Sequence, residues 1–543
     1  MKRRHFLASA ALPLTGCEAV REIQGGFTGV NAARGHQLRE RTSWPAPSKT
    51  HQTRVVIAGG GVAGLAAGRA LRLKGMNDFA LLELEDQAGG NSRGGTVGGI
   101  ACPLGAHYLP VPGDDATELQ DLLEELGLRQ RQSGRWVYDE RYLCHSPQER
   151  LFFNGEWQEG LLPLQGVGRD TLAQYQKFAA LVAQAQQTST WTLPASRAPM
   201  TAEKHALQAL TFKTYLSQNG LTDPHLIWYL SYCCQDDYGA GYSTVSAWAG
   251  LHYFASRHGF TAPRADGHDA GSSADREGLL TWPEGNGWLS RQLASPLKAR
   301  LQTSQVVVRI ASTRHGVEVD AFNPTTQATH RWVAERCIVA LPIFVAARVL
   351  ESPPDWLRLA AARTRYAPWL VANLHIKAPL QDHAGAPPSW DNVIYNTTPA
   401  NATTSAGLGY VDAMHQSLQS VKRADSPTVL THYRALGDMP EGRKLLLTQP
   451  WSHWRDVILT ELGAAHPDLA AKTTRIEMTR YGHAMAVPVP GVGGLPGVRA
   501  GYNTAGQEAP AGLRHGRLSF AHSDWAGYSV FEEAFTLGHV AGA

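Results

Sequence analysis

Residues 54–93 read RVVIAGGGVAGLAAGRALRLKGMNDFALLELEDQAGGNSR, and this stretch predicts the centre of the fold. Four apolar residues, 55–58, lead into the glycine pattern Gly59-x-Gly61-x-x-Gly64. A segment with helical periodicity then continues to about residue 73, and a second apolar run, 79–82, ends at Glu83. Periodicity and glycine spacing together predict a strand, a tight turn, a helix and a second strand.

Each glycine of this turn has a separate role in binding the phosphates of a dinucleotide. Gly59 permits a sharp turn off the strand, Gly61 leaves room for a pyrophosphate, and Gly64 lets the helix lie close to the sheet. The helix N-terminus favours anions, and Glu83 stands nineteen residues after Gly64, where such units place the acid that binds the ribose hydroxyls. The alternative is a glycine-rich turn in an ordinary core βα unit. The predicted nucleotide contacts are Gly59, Gly61, Val62, Ala63, Gly64, Glu83 and Leu84.

Composition describes a large globular chain. The 543 residues are 43% hydrophobic and 18% charged, with a net charge of +3, and are enough for two or more domains. Outside the first residues there is no run of lysines and arginines, so nucleic acid is not a predicted partner. The sequence contains no Cys-x-x-Cys and no His-Glu-x-x-His, so no metal site is predicted. Cys102 and Cys144 are the candidate pair for a disulfide.

The first 17 residues are typical of an export signal. Arg3 and Arg4 precede an apolar stretch, 6–14, that is too short to span a bilayer, as in twin-arginine signals. The stretch ends in Leu-Thr-Gly-Cys17, which resembles a lipobox, so Cys17 would be acylated and would tether a periplasmic protein to the membrane. The alternative is an ordinary secretory signal with a chance cysteine. Residues 18–53 are polar and are interpreted as a spacer.

A second motif follows the predicted ribose acid. Residues 89–93, Gly-Gly-Asn-Ser-Arg, and residues 103–108, Pro-Leu-Gly-Ala-His-Tyr, resemble signatures of the flavin-containing amine oxidase superfamily, which includes phytoene desaturase-like and protoporphyrinogen oxidase-like enzymes. The resemblance implies that FAD is the cofactor. It places Gly89 and Gly90 beside the ribityl and pyrophosphate groups and Arg93 at the phosphates or flavin. The loop that passes the flavin ring would consist of Gly105, Ala106, His107 and Tyr108.

The same resemblance extends to the C-terminus. It implies that Val308 lays its backbone against the adenine, and that residues 517–528 form the closing FAD motif, with Asp524 and Trp525. Tyr528 would supply one wall of an aromatic cage at the flavin, and Tyr481 the other, with His483 nearby. The alternative for Tyr481 is simple packing. The predicted catalytic residues are therefore Tyr528, Tyr481 and His483.

These motifs predict an α/β protein with two interleaved domains. A Rossmann-like FAD-binding domain is expected from residues 54–113, 277–350 and 476–543. An α+β substrate domain, with a mixed sheet and helices, is expected from residues 114–276 and 351–475. The aromatic segment 228–257 is either a core helix pair or the lining of a substrate cavity. Because buried carboxylates need partners, Asp236 and Asp237 are either solvated or, in the second case, select a cationic substrate.

The expected function is the oxidation of a small amine by hydride transfer to FAD. Many members of the superfamily place a lysine in the strand that here contains residues 366–373, and this stretch has none, while Lys377 comes late. That difference favours an alternative, a desaturase or dehydrogenase that passes electrons to a quinone or a protein instead of oxygen. A third possibility is a lipoprotein that binds flavin without catalysis.

Overall fold

The computed structural model describes residues 22–263, 278–395, 406–417, 426–491 and 513–543. The predicted signal, residues 1–17 with Cys17, lies outside these ranges. Within them no helix is both long enough and apolar enough to cross a membrane. Cys102 and Cys144 are buried free thiols, so the candidate disulfide is not formed.

The strands of the described residues are numbered in chain order. They are β1 Gln24–Phe27, β2 Pro47–Ala58, β3 Phe79–Leu82, β4 Gly94–Val97, β5 Ile100–Pro103, β6 Tyr108–Pro110, β7 Arg129–Gln132, β8 Arg135–Tyr138, β9 Glu149–Phe153, β10 Glu156–Glu159, β11 Leu279–Thr281, β12 Leu301–Gln302, β13 Val306–Ser312, β14 Val317–Asn323, β15 Ala328–Val339, β16 Arg365–Ile376, β17 Asp391–Ile394, β18 Gly407–Asp412, β19 Thr428–Ala435, β20 Thr473–Val487, β21 Leu513–His515 and β22 Leu518–Phe520.

The α-helices of the same ranges are numbered likewise. They are α1 Ala32–Glu40, α2 Val62–Leu73, α3 Thr117–Glu125, α4 Arg169–Thr188, α5 Ala202–Gln208, α6 Phe212–Gln218, α7 Pro224–Tyr238, α8 Ala247–Ala255, α9 Gly287–Ala294, α10 Ile343–Val349, α11 Asp355–Arg363, α12 Gly442–Thr448, α13 Trp451–Gly463, α14 Leu469–Lys472 and α15 Phe531–Gly542.

The predicted strand–turn–helix–strand unit is confirmed as β2, α2 and β3, and its two strands belong to the first large sheet. Its strand order is β12-β3-β2-β15-β14-β13, and β22 pairs with the end of β15. The pairs around β2 are parallel, whereas β13, β14 and β15 form an antiparallel meander. The apolar run 55–58 is buried, as expected for a parallel strand covered on both faces. Helix α15 packs closely on α2, because Gly538 lies directly over the Ala63 carbonyl.

The second large sheet is mixed and has the order β1-β20-β16-β19-β18-β17-β9-β10. Apolar side chains of α4, α7 and α8 form one core with residues of β16 and β19 on one face of this sheet. Helix α13 packs in another core with β16, β18 and β20. The predicted α/β class is confirmed, with a Rossmann-like sheet and an α+β part.

Two predicted segment boundaries differ from the structure. The expected spacer, 18–53, contains β1, which pairs in parallel with β20, and α1, and β2 already begins at Pro47. This segment is polar because β1 is an edge strand and α1 buries none of its residues. Residues 476–487, expected in the FAD-binding domain, belong to β20 of the second sheet, where they pair with β16.

Candidate active site

The glycine turn between β2 and α2 adopts the backbone that its spacing predicts. Gly59 has φ +104°, a conformation that favours glycine, and its N–H donates to the Leu82 carbonyl at 2.9 Å. A methyl group on Gly64 would lie 1.9 Å from the Gly59 carbonyl oxygen. Helix α2 begins at Val62, and its N-cap, Gly61, offers no side-chain hydrogen bond. The first N–H groups of α2 are therefore available to an anion.

The predicted glycine pair lies against this turn. Gly89 and Gly90 have φ +125° and +57°, and the Gly89 N–H donates to the Gly60 carbonyl at 2.8 Å. Gly61 and Gly89 form an isolated parallel bridge. A methyl group on Gly61 would meet only the Cα of Gly90, at 3.9 Å. The two glycine segments thus form a cradle of bare backbone that fits a pyrophosphate.

Glu83 lies at the edge of the cradle. Its carboxylate accepts hydrogen bonds from the N–H groups of Gly60 and Glu85, both at 2.8 Å. Burial raises the pKa of Glu83 to about 7, although these N–H bonds and the Arg93 charge act in the opposite direction. The Leu84 carbonyl accepts a hydrogen bond from Arg34 of α1 at 3.1 Å, and a contact of Leu84 with the nucleotide stays a prediction.

Arg93 is buried and holds the glycine pair in place. Its Nε donates to the Gly90 carbonyl at 3.0 Å, and its Nη1 lies 3.8 Å from the Glu85 carboxylate. The guanidinium also hydrogen-bonds to Tyr481, whose pKa is raised overall by burial. Arg93 therefore supplies a positive charge between the cradle and the second sheet.

The loop predicted to pass the flavin lies between Asn91, beside the cradle, and the second sheet. A methyl group on Gly105 would lie 2.0 Å from the Asn91 carbonyl, and the Ala106 N–H donates to that carbonyl at 2.9 Å. The Tyr433 hydroxyl donates to the Gly105 carbonyl at 3.0 Å. The His107 ring stacks on Tyr433 with 4.4 Å between centroids, and burial lowers the pKa of His107 to about 3. His107 is therefore a neutral aromatic surface at physiological pH.

Val308 occupies an irregular position in the meander. The register of β13 and β14 shifts between Val307 and Arg309, so Val308 has no partner residue in β14. Such a bulge leaves backbone groups outside the ladder, which is what a backbone contact to a ligand requires. Val308 also lines a groove of about 420 Å³ that is bounded by residues 42–47 and 348–351.

Asp524 joins the C-terminal motif to α10. Its buried carboxylate accepts from the Ile343 N–H at 3.0 Å and from the Tyr366 hydroxyl at 2.6 Å, and His522 Nδ1 lies 3.1 Å away. These partners outweigh burial and hold the pKa of Asp524 below its usual value. Trp525 packs in the core against Trp356, with 5.7 Å between ring centroids. A direct contact of either side chain with FAD stays a prediction.

The three predicted catalytic residues have different direct partners. Tyr528 is buried against the rings of Tyr238 and His252, and its hydroxyl donates to Glu533 at 2.6 Å. The Tyr481 hydroxyl instead donates to the Leu104 carbonyl at 2.7 Å. His483 is exposed in an irregular part of β20 and stacks on Phe344 at 4.6 Å. A cage with walls from Tyr481 and Tyr528 stays a prediction.

Sequence reasoning missed Tyr433 and Glu533. Tyr433 lies in β19, 328 residues from Gly105 in sequence, and bonds the carbonyl of that residue. Glu533 is fully buried and accepts from the Ala195 N–H at 2.5 Å as well as from Tyr528. No local sequence pattern predicts a role for Tyr433. Two adjacent acids on an apolar helix, Glu532 and Glu533, do indicate a buried polar site.

These features define the class of the protein: it binds a dinucleotide, and its glycine cradle and loop are typical of proteins that bind FAD. The family described as flavin-containing amine oxidoreductase matches residues 62–541. The chain therefore belongs to this family and is an FAD-dependent oxidoreductase.

The similarity to individual proteins is either low in sequence identity or limited to a short stretch. The chain is 33% identical over 93 residues to the mitochondrial protoporphyrinogen oxidase of Nicotiana tabacum, a stretch that covers 17% of this chain and 18% of that enzyme. Wild-type putrescine oxidase bound to putrescine superimposes with a TM-score of 0.64 at 17% identity, covering 91% of this chain and 98% of its own. Cyclohexylamine oxidase from Brevibacterium oxydans IH-35A gives 0.60 at 18% identity, covering 90% and 98%. At these identities the two structures establish the shared fold.

Proposed function

We propose that this protein oxidises a small amine at the carbon next to nitrogen. The single observation that carries the proposal is the position of the loop 105–108, which is hydrogen-bonded to Asn91 beside the cradle and ends in Tyr108 next to the Asp236 carboxylate. Bound FAD supplies the acceptor for a hydride equivalent. The chain's own residues bind the cofactor at the cradle, present neutral aromatic surfaces and offer a carboxylate to a cation. The amines named for putrescine oxidase and cyclohexylamine oxidase support this substrate class.

A second candidate is a dehydrogenase or desaturase that passes electrons to a quinone or a carrier protein. The observation in its favour is that β16 contains no lysine, since Lys377 follows the last residue of that strand.

We also propose that residues 1–17 export the protein to the periplasm, with acylation of Cys17 as a membrane tether close to such an acceptor.

Anaerobic reduction of the flavin tests the amine proposal. The purified holoenzyme is mixed with putrescine, cyclohexylamine, amino acids and polyamines, and the loss of flavin absorbance is recorded. We expect at least one amine to bleach the flavin. A flavin that no amine reduces would contradict the proposal and favour the dehydrogenase or the non-catalytic alternative.

The acceptor is tested on the reduced enzyme. Reoxidation by dissolved oxygen with formation of peroxide identifies an oxidase, whereas reoxidation only by quinone analogues identifies a dehydrogenase. Export is tested separately by fractionating cells that express the full chain or the Cys17→Ala variant. The amount of protein in the membrane fraction measures the tether, and we expect it to fall in Cys17→Ala.

A further inference from the structure

One face of α7 carries aromatic and acidic side chains at helical spacing. Trp228, Tyr232 and Asp236 stand four residues apart and therefore lie on the same side of the helix. The Trp228 and Tyr232 rings stack with 5.8 Å between centroids. At the C-terminal end of this face, the Asp236 carboxylate accepts a hydrogen bond from the Tyr108 hydroxyl at 3.1 Å. The face of α7 thus ends at the loop predicted to pass the flavin.

A further aromatic residue, Trp390, lies beside the same loop. The Trp390 ring lies 5.4 Å from His107 and 6.0 Å from Tyr108, between ring centroids. The next residue, Asp391, has its carboxylate 3.5 Å from the Tyr232 hydroxyl. Aromatic faces and carboxylates are the groups that bind organic cations in proteins.

The two adjacent aspartates of α7 differ in their partners. Asp237 is buried and forms an ion pair with Arg257 at 2.7 Å, so its charge is balanced within the fold. Asp236 is half-buried, and among the residues that the structure describes it forms no ion pair; its hydrogen-bond donor is the neutral Tyr108 hydroxyl. A carboxylate in such surroundings is stabilised by a cationic ligand.

We propose that Asp236 binds the ammonium group of the substrate and accepts one proton from it. This inference rests on the proposed amine function. The nitrogen of a protonated amine has no free lone pair to assist loss of hydride from the adjacent carbon, so the ammonium must first lose a proton. In the proposed step an N–H bond of the ammonium breaks, an O–H bond forms on Asp236, and the products are a neutral amine and a neutral carboxylic acid.

The groups around Asp236 favour this proton transfer. Burial raises the pKa of Asp236 to about 7, the negative charge of Asp237 acts in the same direction, and Tyr108 and Arg257 act against both. The other titratable groups that sense its charge are Tyr232, Cys233, Asp391 and Tyr433. Asp236 is therefore protonated and unable to accept a proton well below pH 7, and it is ionised above that pH.

Binding of a cation that cannot react tests the charge of Asp236 apart from catalysis. The probe is benzyltrimethylammonium, titrated calorimetrically into the holoenzyme between pH 5.5 and 8.5. We expect its affinity to rise through about pH 7 in the wild type. In Asp236→Asn we expect affinity to be lower on the order of tenfold at high pH and independent of pH. Asp456→Asn, the same loss of charge at an exposed position of α13, is the matched control and should resemble the wild type.

The pH profile of flavin reduction tests the proton transfer. With any amine that bleaches the wild-type flavin, the reduction rate should rise through about pH 7, and in Asp236→Asn the rise should move towards the pKa of a free alkylamine, about 10. Asp236→Asn must retain the wild-type flavin spectrum and melting temperature. Unchanged probe affinity and an unchanged profile in that variant would overturn the role of Asp236 while leaving amine oxidation intact. A wild-type flavin that no amine reduces would instead overturn the proposed function.

Discussion

Gly61 and Gly64 belong to the same turn, but a methyl group would meet different surroundings at the two positions. At Gly64 it would collide with the Gly59 carbonyl at 1.9 Å, and neither the strand nor the helix can move without losing its packing. At Gly61 it would touch only Gly90 Cα, at 3.9 Å, which is ordinary contact. Gly64 is therefore required by the fold, and Gly61 is required by the ligand.

The variant Gly61→Ala should keep the fold and lose the cofactor, because the added methyl group occupies the cradle and not the core. We expect a melting temperature of the FAD-free protein close to that of the wild type, and FAD affinity lower on the order of tenfold or more. Gly64→Ala should destabilise the FAD-free protein itself, by about 1–3 kcal/mol. The control is Gly35→Ala in α1, where nothing lies within 4 Å of the added carbon. Equal FAD affinity in Gly61→Ala and the wild type would exclude a pyrophosphate at the cradle.

The segment 22–46 forms a strap that connects the two large sheets near the candidate nucleotide site. Its strand β1 pairs with β20 of the second sheet, and its helix α1 lies beside the residues that follow Glu83. The Asn31 N–H donates to the Glu85 carboxylate at 3.0 Å, and Arg34 donates to the Leu84 carbonyl at 3.1 Å. Arg348, after β15, bonds carbonyls of the last turn of α1. The strap is therefore a structural part of the cofactor-binding region.

The variant Arg34→Ala should loosen the strap. It removes the bond to Leu84 and an ion pair with Asp86 at 2.7 Å, but the Asp86 side chain is 73% exposed, so the expected cost is about 1 kcal/mol. Limited proteolysis should cut within residues 22–46 several times faster than in the wild type, with cleavage sites located by mass spectrometry. Arg39→Ala, which removes only an exposed pair with Glu40, is the control. A cleavage rate equal to that of the control would mean that Arg34 does not hold the strap.

Hydrogen bonds around the predicted flavin loop join the second sheet to residues 91–105, the segment that follows the cradle. Asn373 of β16 donates to the Pro103 carbonyl at 2.9 Å, and Tyr433 of β19 donates to the Gly105 carbonyl at 3.0 Å. Asn91 donates to the Ala484 carbonyl of β20 at 2.6 Å. A cofactor bound at the cradle would lie next to this junction, so we expect its binding energy to stabilise both parts of the molecule.

Removal of FAD should therefore lower the melting temperature of the entire chain. With free FAD at about one hundred times its dissociation constant, the holoenzyme gains about 2.7 kcal/mol over the FAD-free protein. The measurement is calorimetric melting of the holoenzyme, of the protein stripped of FAD, and of the stripped protein after FAD is added back. We expect one transition that shifts down on stripping and returns on reconstitution. A transition that stays in place would show that the cofactor does not contribute to the stability of this junction.

The sequence determined the β2–α2–β3 unit, because apolar periodicity and glycine spacing act within some thirty residues and require few partners from elsewhere. It also determined the position of Glu83, which follows from the length of that unit. The resemblance to flavin-containing amine oxidases added Gly89, Gly90 and the loop at Gly105, each of which lies against the turn or its neighbours.

Only the tertiary structure decided the partners of side chains that are distant in sequence. It joined Asp524 to Ile343 and placed β1 on β20. It also distinguished Asp236 from Asp237, which the sequence presents as one acidic pair. The physical reason is that a turn is specified by local backbone geometry, whereas the charge and contacts of a buried side chain depend on which distant segments pack around it.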